Sequence, residues 1–261
     1  MDKDASVWGA RFYQATQNIT LTERPSAVWQ NFGFGDAYQI QAASIERRVG
    51  DGEHVAAIKL GLTQAVDQQK WGVTMPSFGT VTDRMLLHEG EALSVSSGHA
   101  PRVEAEIVCV LNTEITAPLA SLDETAAAVA SVHAGIEIVD SRYSPGVSTA
   151  ADAIADNQSA LSGVWSQSGH TLRSTNLADE TCDFFISGNL VASGSGERLL
   201  GNPLRALQDA INEALSRGFA VPKGLAVFTG NIVGSAINVS PGDLVVARFS
   251  TLGEISLGVV D

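Results

Sequence analysis

The chain has 261 residues, 44% of them hydrophobic, and a net charge of −13. That length allows one large domain, or a main domain with a small appendage, around a sizeable core. The acidic balance argues against a general nucleic-acid or anionic-membrane binder, both of which need a cationic surface. An anionic substrate is still admissible, because a bound metal or a few local cations can invert the field inside a cleft. No apolar run approaches the roughly 20 residues of a membrane span, and Met1-Asp2-Lys3-Asp4 opens neither a basic region nor an apolar core. A cytoplasmic protein without a signal peptide is therefore expected. The two cysteines, Cys109 and Cys182, cannot form a disulfide framework.

In chain order, residues 5–48 read as mostly helical, with residues 37–49 apolar at helical spacing and ending at the turn Gly50-Asp51-Gly52. From residue 55 the texture changes to strand and turn. Residues 55–60 predict a strand closed by Gly61, residues 64–70 a short helix, and residues 71–79 a loop around Pro76 and Gly79. The change suggests a helical N-terminal part over 1–52 and a catalytic domain over 53–261. Residues 103–109 alternate as a strand. Ser121 and Glu124 have the spacing of a capping box, opening a helix predicted through residues 126–133 into the strand that holds Glu137. Residues 193–196 (Ser-Gly-Ser-Gly) read as a flexible turn, without the third glycine of a dinucleotide site. Asn202 as cap, Pro203 at the first helical position and Gly218 beyond the end mark the clearest helix, with Leu204, Leu207, Ile211 and Leu215 as its buried stripe. Three strands, at 225–229, 244–249 and 254–260, close the chain.

The chemistry concentrates on three glutamates. In Val103-Glu104-Ala105-Glu106-Ile107 the alternation puts Val103, Ala105, Ile107 and Cys109 on one face and both carboxylates on the other. Glu137 adds a third in Ile136-Glu137-Ile138-Val139-Asp140. Neighbouring carboxylates on an apolar strand repel and resist desolvation, and a divalent cation removes both problems. An all-oxygen set suits Mg²⁺ or Mn²⁺ better than Zn²⁺. The five histidines show no metal spacing, and no nucleophile elbow supports a serine hydrolase.

Several motifs occur in one order: Lys59-Leu60-Gly61-Leu62-Thr63, Pro76-x-Phe78-Gly79, Pro101-Arg102-Val103-Glu104-Ala105-Glu106-Ile107, Glu137-x-x-Asp140-Ser141-Arg142, Ala155-Asp156-Asn157-x-Ser159, Gly201-Asn202-Pro203 and Thr229-Gly230. Together they resemble the 2-keto-4-pentenoate hydratase / 4-oxalocrotonate decarboxylase family of the fumarylacetoacetate hydrolase superfamily, over roughly residues 30–258. The resemblance implies an α+β fold, a mixed β-roll or barrel-like core wrapped by helices, with the small helical part at the N-terminus. It also implies a hydratase adding water to a 2-hydroxy-2,4-dienoate, giving a 4-hydroxy-2-oxo acid in aromatic meta-cleavage catabolism. The alternative is decarboxylation of 4-oxalocrotonate (2-oxohex-3-enedioate), which uses the same electron sink; acylpyruvate-type hydrolysis comes third.

By the same resemblance Glu104, Glu106 and Glu137 are the metal ligands, for Mg²⁺ or alternatively Mn²⁺. Lys59 and Asp83 are the candidate proton-transfer groups, Lys59 shuttling a proton if burial lowers its pKa. Leu60, Arg84, Ser159 and Thr229 are candidate substrate contacts. Arg84 stands where hydratases often carry aspartate and could grip the distal carboxylate of a diacid. Asp140-Ser141-Arg142-Tyr143 looks more like the decarboxylase branch. Arg142 could equally be a supporting ion pair, and Asp156 and Asn157 fit loop bracing. A small 2-oxo acid substrate and a homo-oligomer are implied, with association to a homologous hydratase or decarboxylase, or to a downstream aldolase.

Overall fold

The protein is described by a computed structural model covering residues 4–144, 146–172 and 175–261; residues 1–3, read above for a leader, lie outside it. Helix α1 (Ala5–Gln17) starts at Asp4, whose carboxylate accepts from the Ser6 amide at 2.8 Å. A short turn, α2 (Pro25–Val28), leads to α3 (Phe34–Gly50), which lies along α1. Trp8 and Phe12 of α1 and Tyr38 and Ile40 of α3 join the core that the strands build, so helices and sheets share one continuous apolar interior.

Strand β1 (Val55–Gly61) is followed by α4 (Ala65–Trp71), β2 (Ser77–Thr82), β3 (Ala92–Ser94), β4 (Arg102–Leu111), α5 (Leu122–Ala127) and β5 (Val129–Val139). Then come α6 (Ala150–Ala155), β6 (Ala160–Trp165), β7 (Thr181–Ile186), β8 (Asn189–Ser195) and α7 (Pro203–Ser216). The chain closes with β9 (Ala226–Asn231), β10 (Ile237–Asn238), β11 (Leu244–Phe249) and β12 (Glu254–Val260). One sheet runs β2-β1-β9-β4-β5-β6, with β10 also on β4, and the other β3-β12-β11-β7-β8. Both are mixed: β1 with β9 and β12 with β3 are parallel, the remaining pairs antiparallel. The expected α+β roll wrapped by helices is the observed architecture.

Three local expectations change. The α5 helix stops at Ala127 instead of running to His133, because Val129 to Val139 pair along β4, Leu111 facing Val129 and Arg102 facing Val139. A long pairing partner outweighs the helical leaning of an alanine run. Its cap holds: Ser121 Oγ accepts from the Glu124 amide at 3.2 Å, while Glu124 reaches back to the Ala120 amide at 2.7 Å. Ser77, Phe78 and Gly79, expected in a loop, belong to β2. Ser193, Gly194 and Ser195 lie in β8, and Gly194 serves packing: a Cβ there would sit 1.8 Å from the Ile232 carbonyl oxygen.

Between α6 and β6 the chain makes an unusual turn. Asn157, Gln158 and Ser159 all take left-handed φ, at 51°, 54° and 57°, each a costly conformation for a side-chain-bearing residue. Their anchors are buried. The Asn157 amide brackets Thr80, donating to its carbonyl and accepting from its N–H, both at 2.7 Å. Arg142 Nε lies 2.6 Å from Asp156 Oδ1, and Arg142 Nη1 donates to the Asp140 and Ala160 carbonyls at 2.9 Å. Arg142 and Asp156 are thus structural partners. Removing one member of a buried pair leaves the other charge uncompensated. Asp156→Ala is expected to cost about 3–5 kcal/mol, measured as a drop in urea midpoint with the slope m unchanged.

Candidate active site

Alternation along β4 sends Val103, Ala105, Ile107 and Cys109 into the core, all fully buried, and turns Glu104 and Glu106 to the opposite face. In register on β5, Glu137 stands directly across from Glu104, a like-charge placement that destabilises a sheet. One carboxylate oxygen from each of the three glutamates falls within 4.8 Å of the others. Glu106 and Glu137 are buried and Glu104 half-buried.

Few groups in the protein satisfy this cluster. Glu106 Oε2 accepts from the Gly230 amide at 2.8 Å. Gly230 has φ 112°, and a Cβ there would meet Thr63 Oγ1 at 2.1 Å, so only glycine brings this amide to the carboxylate. Lys59, 4% exposed, lies 2.9 Å from Glu137 Oε1 and donates to the Gln158 carbonyl at 2.9 Å. The ion pair is not aligned as a hydrogen bond. Glu106 Oε1 and both Glu137 oxygens are buried without a hydrogen-bond partner, which is costly unless another ligand takes them.

The electrostatics follow. Burial first, then Glu137, pushes Glu104 up to about 7. Burial likewise raises Glu137, and burial together with Glu137 and Glu104 raises Glu106 well above the carboxylate range. For Lys59 burial is the largest effect and acts downward, but Glu137, Glu104 and Glu106 together carry its pKa above the ordinary value. Lys59 is therefore a held cation and proton donor, the opposite of the lowered pKa that burial alone suggests. Three crowded carboxylates with unpartnered oxygens fit a hard divalent cation, which Glu104, Glu106 and Glu137 would hold.

A cavity of about 340 Å³ opens on this cluster, with Lys59, Leu60, Arg102, Glu104, Ser159 and Asn231 in its wall. A larger cavity, about 590 Å³, between α3 and the end of α7 contains none of the expected site residues. The structure thus brings together Lys59, Leu60, Ser159 and the three glutamates. Ser159 Oγ points back to Asp156 Oδ2, at 3.4 Å.

Asp83, Arg84 and Thr229 are not brought there. Strands β1 and β2 are antiparallel, with Lys59 opposite Gly79 and Val55 opposite Thr82. Asp83 and Arg84 therefore follow the end of β2 that lies farthest from the cluster. Asp83, its side chain 47% exposed, accepts from the amides of His54 and Arg84 at 3.0 and 2.9 Å. The His54 amide above all holds its carboxyl below the usual range. Arg84 is exposed. Thr229 is fully buried and donates to the Ile107 carbonyl at 2.8 Å. Its neighbours Gly230 and Asn231 reach the site instead. Alternation would have pointed to Arg102, two residues before Glu104. Asn231 carries no such signal, because the β4–β9 register shifts between Glu106 and Val108.

A family model described as fumarylacetoacetate (FAA) hydrolase C-terminal matches residues 45–260. The chain is 31% identical over 250 residues to a 2-keto-4-pentenoate hydratase of Paraburkholderia xenovorans, covering 93% of this chain and 90% of that protein. It is 30% identical over 223 residues to a 4-oxalocrotonate decarboxylase of Pseudomonas putida, covering 85% and 84%. The structure superposes on 4-oxalocrotonate decarboxylase from Pseudomonas putida G7, complexed with magnesium and adipate, with TM-score 0.94 and 26% identity over 98% of this chain and 97% of that one.

Between the ordinary glutamate value of 4.5 and about 7, folded Glu104 keeps a proton that the unfolded chain has lost. Metal-free stability is therefore lost as pH rises through that window; Lys59, raised from 10.5, titrates above it. From pH 5 to 8 the Tm of the metal-free protein is expected to fall relative to that of Glu104→Gln, read by differential scanning fluorimetry. Added Mg²⁺ is expected to raise the Tm more at pH 8 than at pH 5, since ligands must be deprotonated.

Proposed function

The chain belongs to the fumarylacetoacetate hydrolase family, and from that premise we propose that it is an Mg²⁺-dependent lyase of small 2-oxo acids, with Mn²⁺ as an alternative ion. The reading is hydration of a 2-hydroxy-2,4-dienoate to a 4-hydroxy-2-oxo acid. The observation that carries it is the glutamate triad with unpartnered oxygens beside Lys59, Glu104 and Lys59 standing in the wall of a cavity. A bound divalent cation there supplies Lewis-acid charge where a 2-oxo acid develops enolate character.

The protein's own groups do the rest. Lys59, held by Glu137 and the Gln158 carbonyl, lines the cavity as a proton-bearing group. It can protonate a dienolate carbon and stabilise a developing oxyanion. The Gly230 amide keeps Glu106 in place, and the left-handed turn at 157–159 fixes the carbonyl that aims Lys59. Apolar Val139, Val147 and Ala150 also line the cavity and limit water around the reacting carbons.

Decarboxylation of a 2-oxohex-3-enedioate-type diacid is the second reading. It needs the same electron sink but no base to activate water, and Asp83, the expected second proton-transfer group, is outside the cavity. The fold match to a decarboxylase favours it too. Both readings extend to a cytoplasmic homo-oligomer, associating with a homologous hydratase or decarboxylase or a downstream aldolase. Among the described residues no helix is long and apolar enough to cross a membrane.

The test is a spectrophotometric assay with Mg²⁺, run side by side on 2-hydroxypenta-2,4-dienoate and 2-oxohex-3-enedioate. Loss of the dienoate without carbon dioxide is expected for the hydratase, and carbon dioxide from the diacid for the decarboxylase. Turnover of neither by protein that binds Mg²⁺ would sink both. Glu106→Gln is expected to reduce the active reaction to background and to weaken Mg²⁺ binding.

A further inference from the structure

Two donors in the cavity wall, Asn231 and Arg102, flank Glu104 and favour its charged form. The Asn231 side-chain amide is buried, the residue being 7% exposed, and its Nδ2 lacks a hydrogen bond. Its Oδ1 is occupied, accepting from the Val233 amide at 2.9 Å, and that bond sets the orientation of the whole group. Asn231 is in register with Glu106 and lines the cavity with Glu104. Arg102 stands two residues before Glu104 on the same strand face, half-buried in the same wall. Among the described residues it enters no ion pair. Of the half-buried acids in this wall, Asp67 and Glu104, neither forms an ion pair with it, though its charge favours ionised Glu104.

A buried N–H without an acceptor costs on the order of 1–3 kcal/mol, and a guanidinium lining a cleft attracts an anion. In a chain of net charge −13, two such donors in one cavity wall are not general surface polarity. We propose that Asn231 and Arg102 form the carboxylate-binding wall of this cavity, with the Asn231 amide donating to a carboxylate oxygen of a 2-oxo acid and Arg102 supplying its countercharge. This rests on the reading of the cavity as a 2-oxo-acid site but not on which reaction follows. Asn231 acts beside the glutamates, since its strand neighbour Gly230 already holds Glu106. Arg102 acts from the start of β4.

The experiment is isothermal titration of Mg²⁺, and then of pyruvate in excess Mg²⁺, into the full chain and four variants. Pyruvate offers a carboxylate and a keto oxygen with no tail. Asn231→Ala and Arg102→Gln are each expected to weaken pyruvate by about 10-fold or more, the scale of a charge-assisted hydrogen bond. Mg²⁺ affinity should stay within about threefold, because neither residue offers the ion a carboxylate. Asn231→Asp keeps the acceptor for Val233 and removes the donor. It should bind pyruvate no better than Asn231→Ala, separating the loss of the N–H from a disturbed turn. Arg84→Ala, remote from the cavity, should bind pyruvate as the parent does. Unchanged pyruvate affinity in either Asn231→Ala or Arg102→Gln would overturn the assignment. So would loss of pyruvate binding that merely tracks a comparable loss of Mg²⁺. A parent protein that binds Mg²⁺ and pyruvate but turns over neither dienoate nor diacid would remove the proposed reactions and leave this wall standing.

Discussion

Everything at the centre of this protein depends on keeping three carboxylates where they repel one another. A strand pair puts Glu104 opposite Glu137, and the next inward-facing position is a third glutamate, fully buried. Among the described residues, Lys59 is the cation that meets all three of them. With all four groups ionised, three negative charges meet one positive, and two negative charges remain. A divalent ion closes that sum, whereas a monovalent ion or a further lysine would not. Burial, and for Glu104 and Glu106 the neighbouring carboxylates, raise the pKa values of the cluster in the metal-free protein.

Holding such a cluster requires rigid surroundings, and much of the rigidity comes from residues that brace the groups beside the carboxylates. The carbonyl that receives the Lys59 proton belongs to Gln158, the middle of three left-handed residues. That turn persists because Asn157 is locked onto Thr80 and Asp156 onto Arg142. The ammonium is thus aimed by a strained backbone that a buried ion pair and a buried amide hold in place, consistent with strain gathering near functional sites. On the other side, Gly230 lets an amide approach Glu106 where any side chain would collide with Thr63.

The paired glutamates of β4 were legible in the sequence because a strand has period two. Once residues 103–109 were taken as a strand, Glu104 and Glu106 had to share a face. Glu137, 31 residues beyond Glu106, needed the ordered motifs to join them, since register across a sheet leaves no local trace. The same gap explains Asp83 and Arg84: near Lys59 in motif order, they are carried away from it by the antiparallel turn into β2. Asn231 escaped notice because a bulge shifts the register beside it. The helix expected to reach His133 failed for a related reason. Residues 126–130 are alanine-rich and read as helical, and only the length of β4 shows that β5 must start at Val129.

Net charge is a poor guide to what such a cavity binds. A protein at −13 repels anions at long range, but that repulsion is screened over about 10 Å at moderate salt. Inside the cleft the balance is local. A divalent ion would close the sum of the triad and Lys59, leaving Arg102 as the positive charge of the wall beside Asp67, and Asn231 as an oriented dipole. The cavity would then shed its excess negative charge with the ion: closed to a 2-oxo acid when the carboxylates stand alone, open to one when they are loaded. Metal binding and substrate binding are coupled by that arithmetic, in the order metal first. The cost is paid by the metal-free fold, which carries unpartnered buried oxygens so that the loaded form has open places for its ligand.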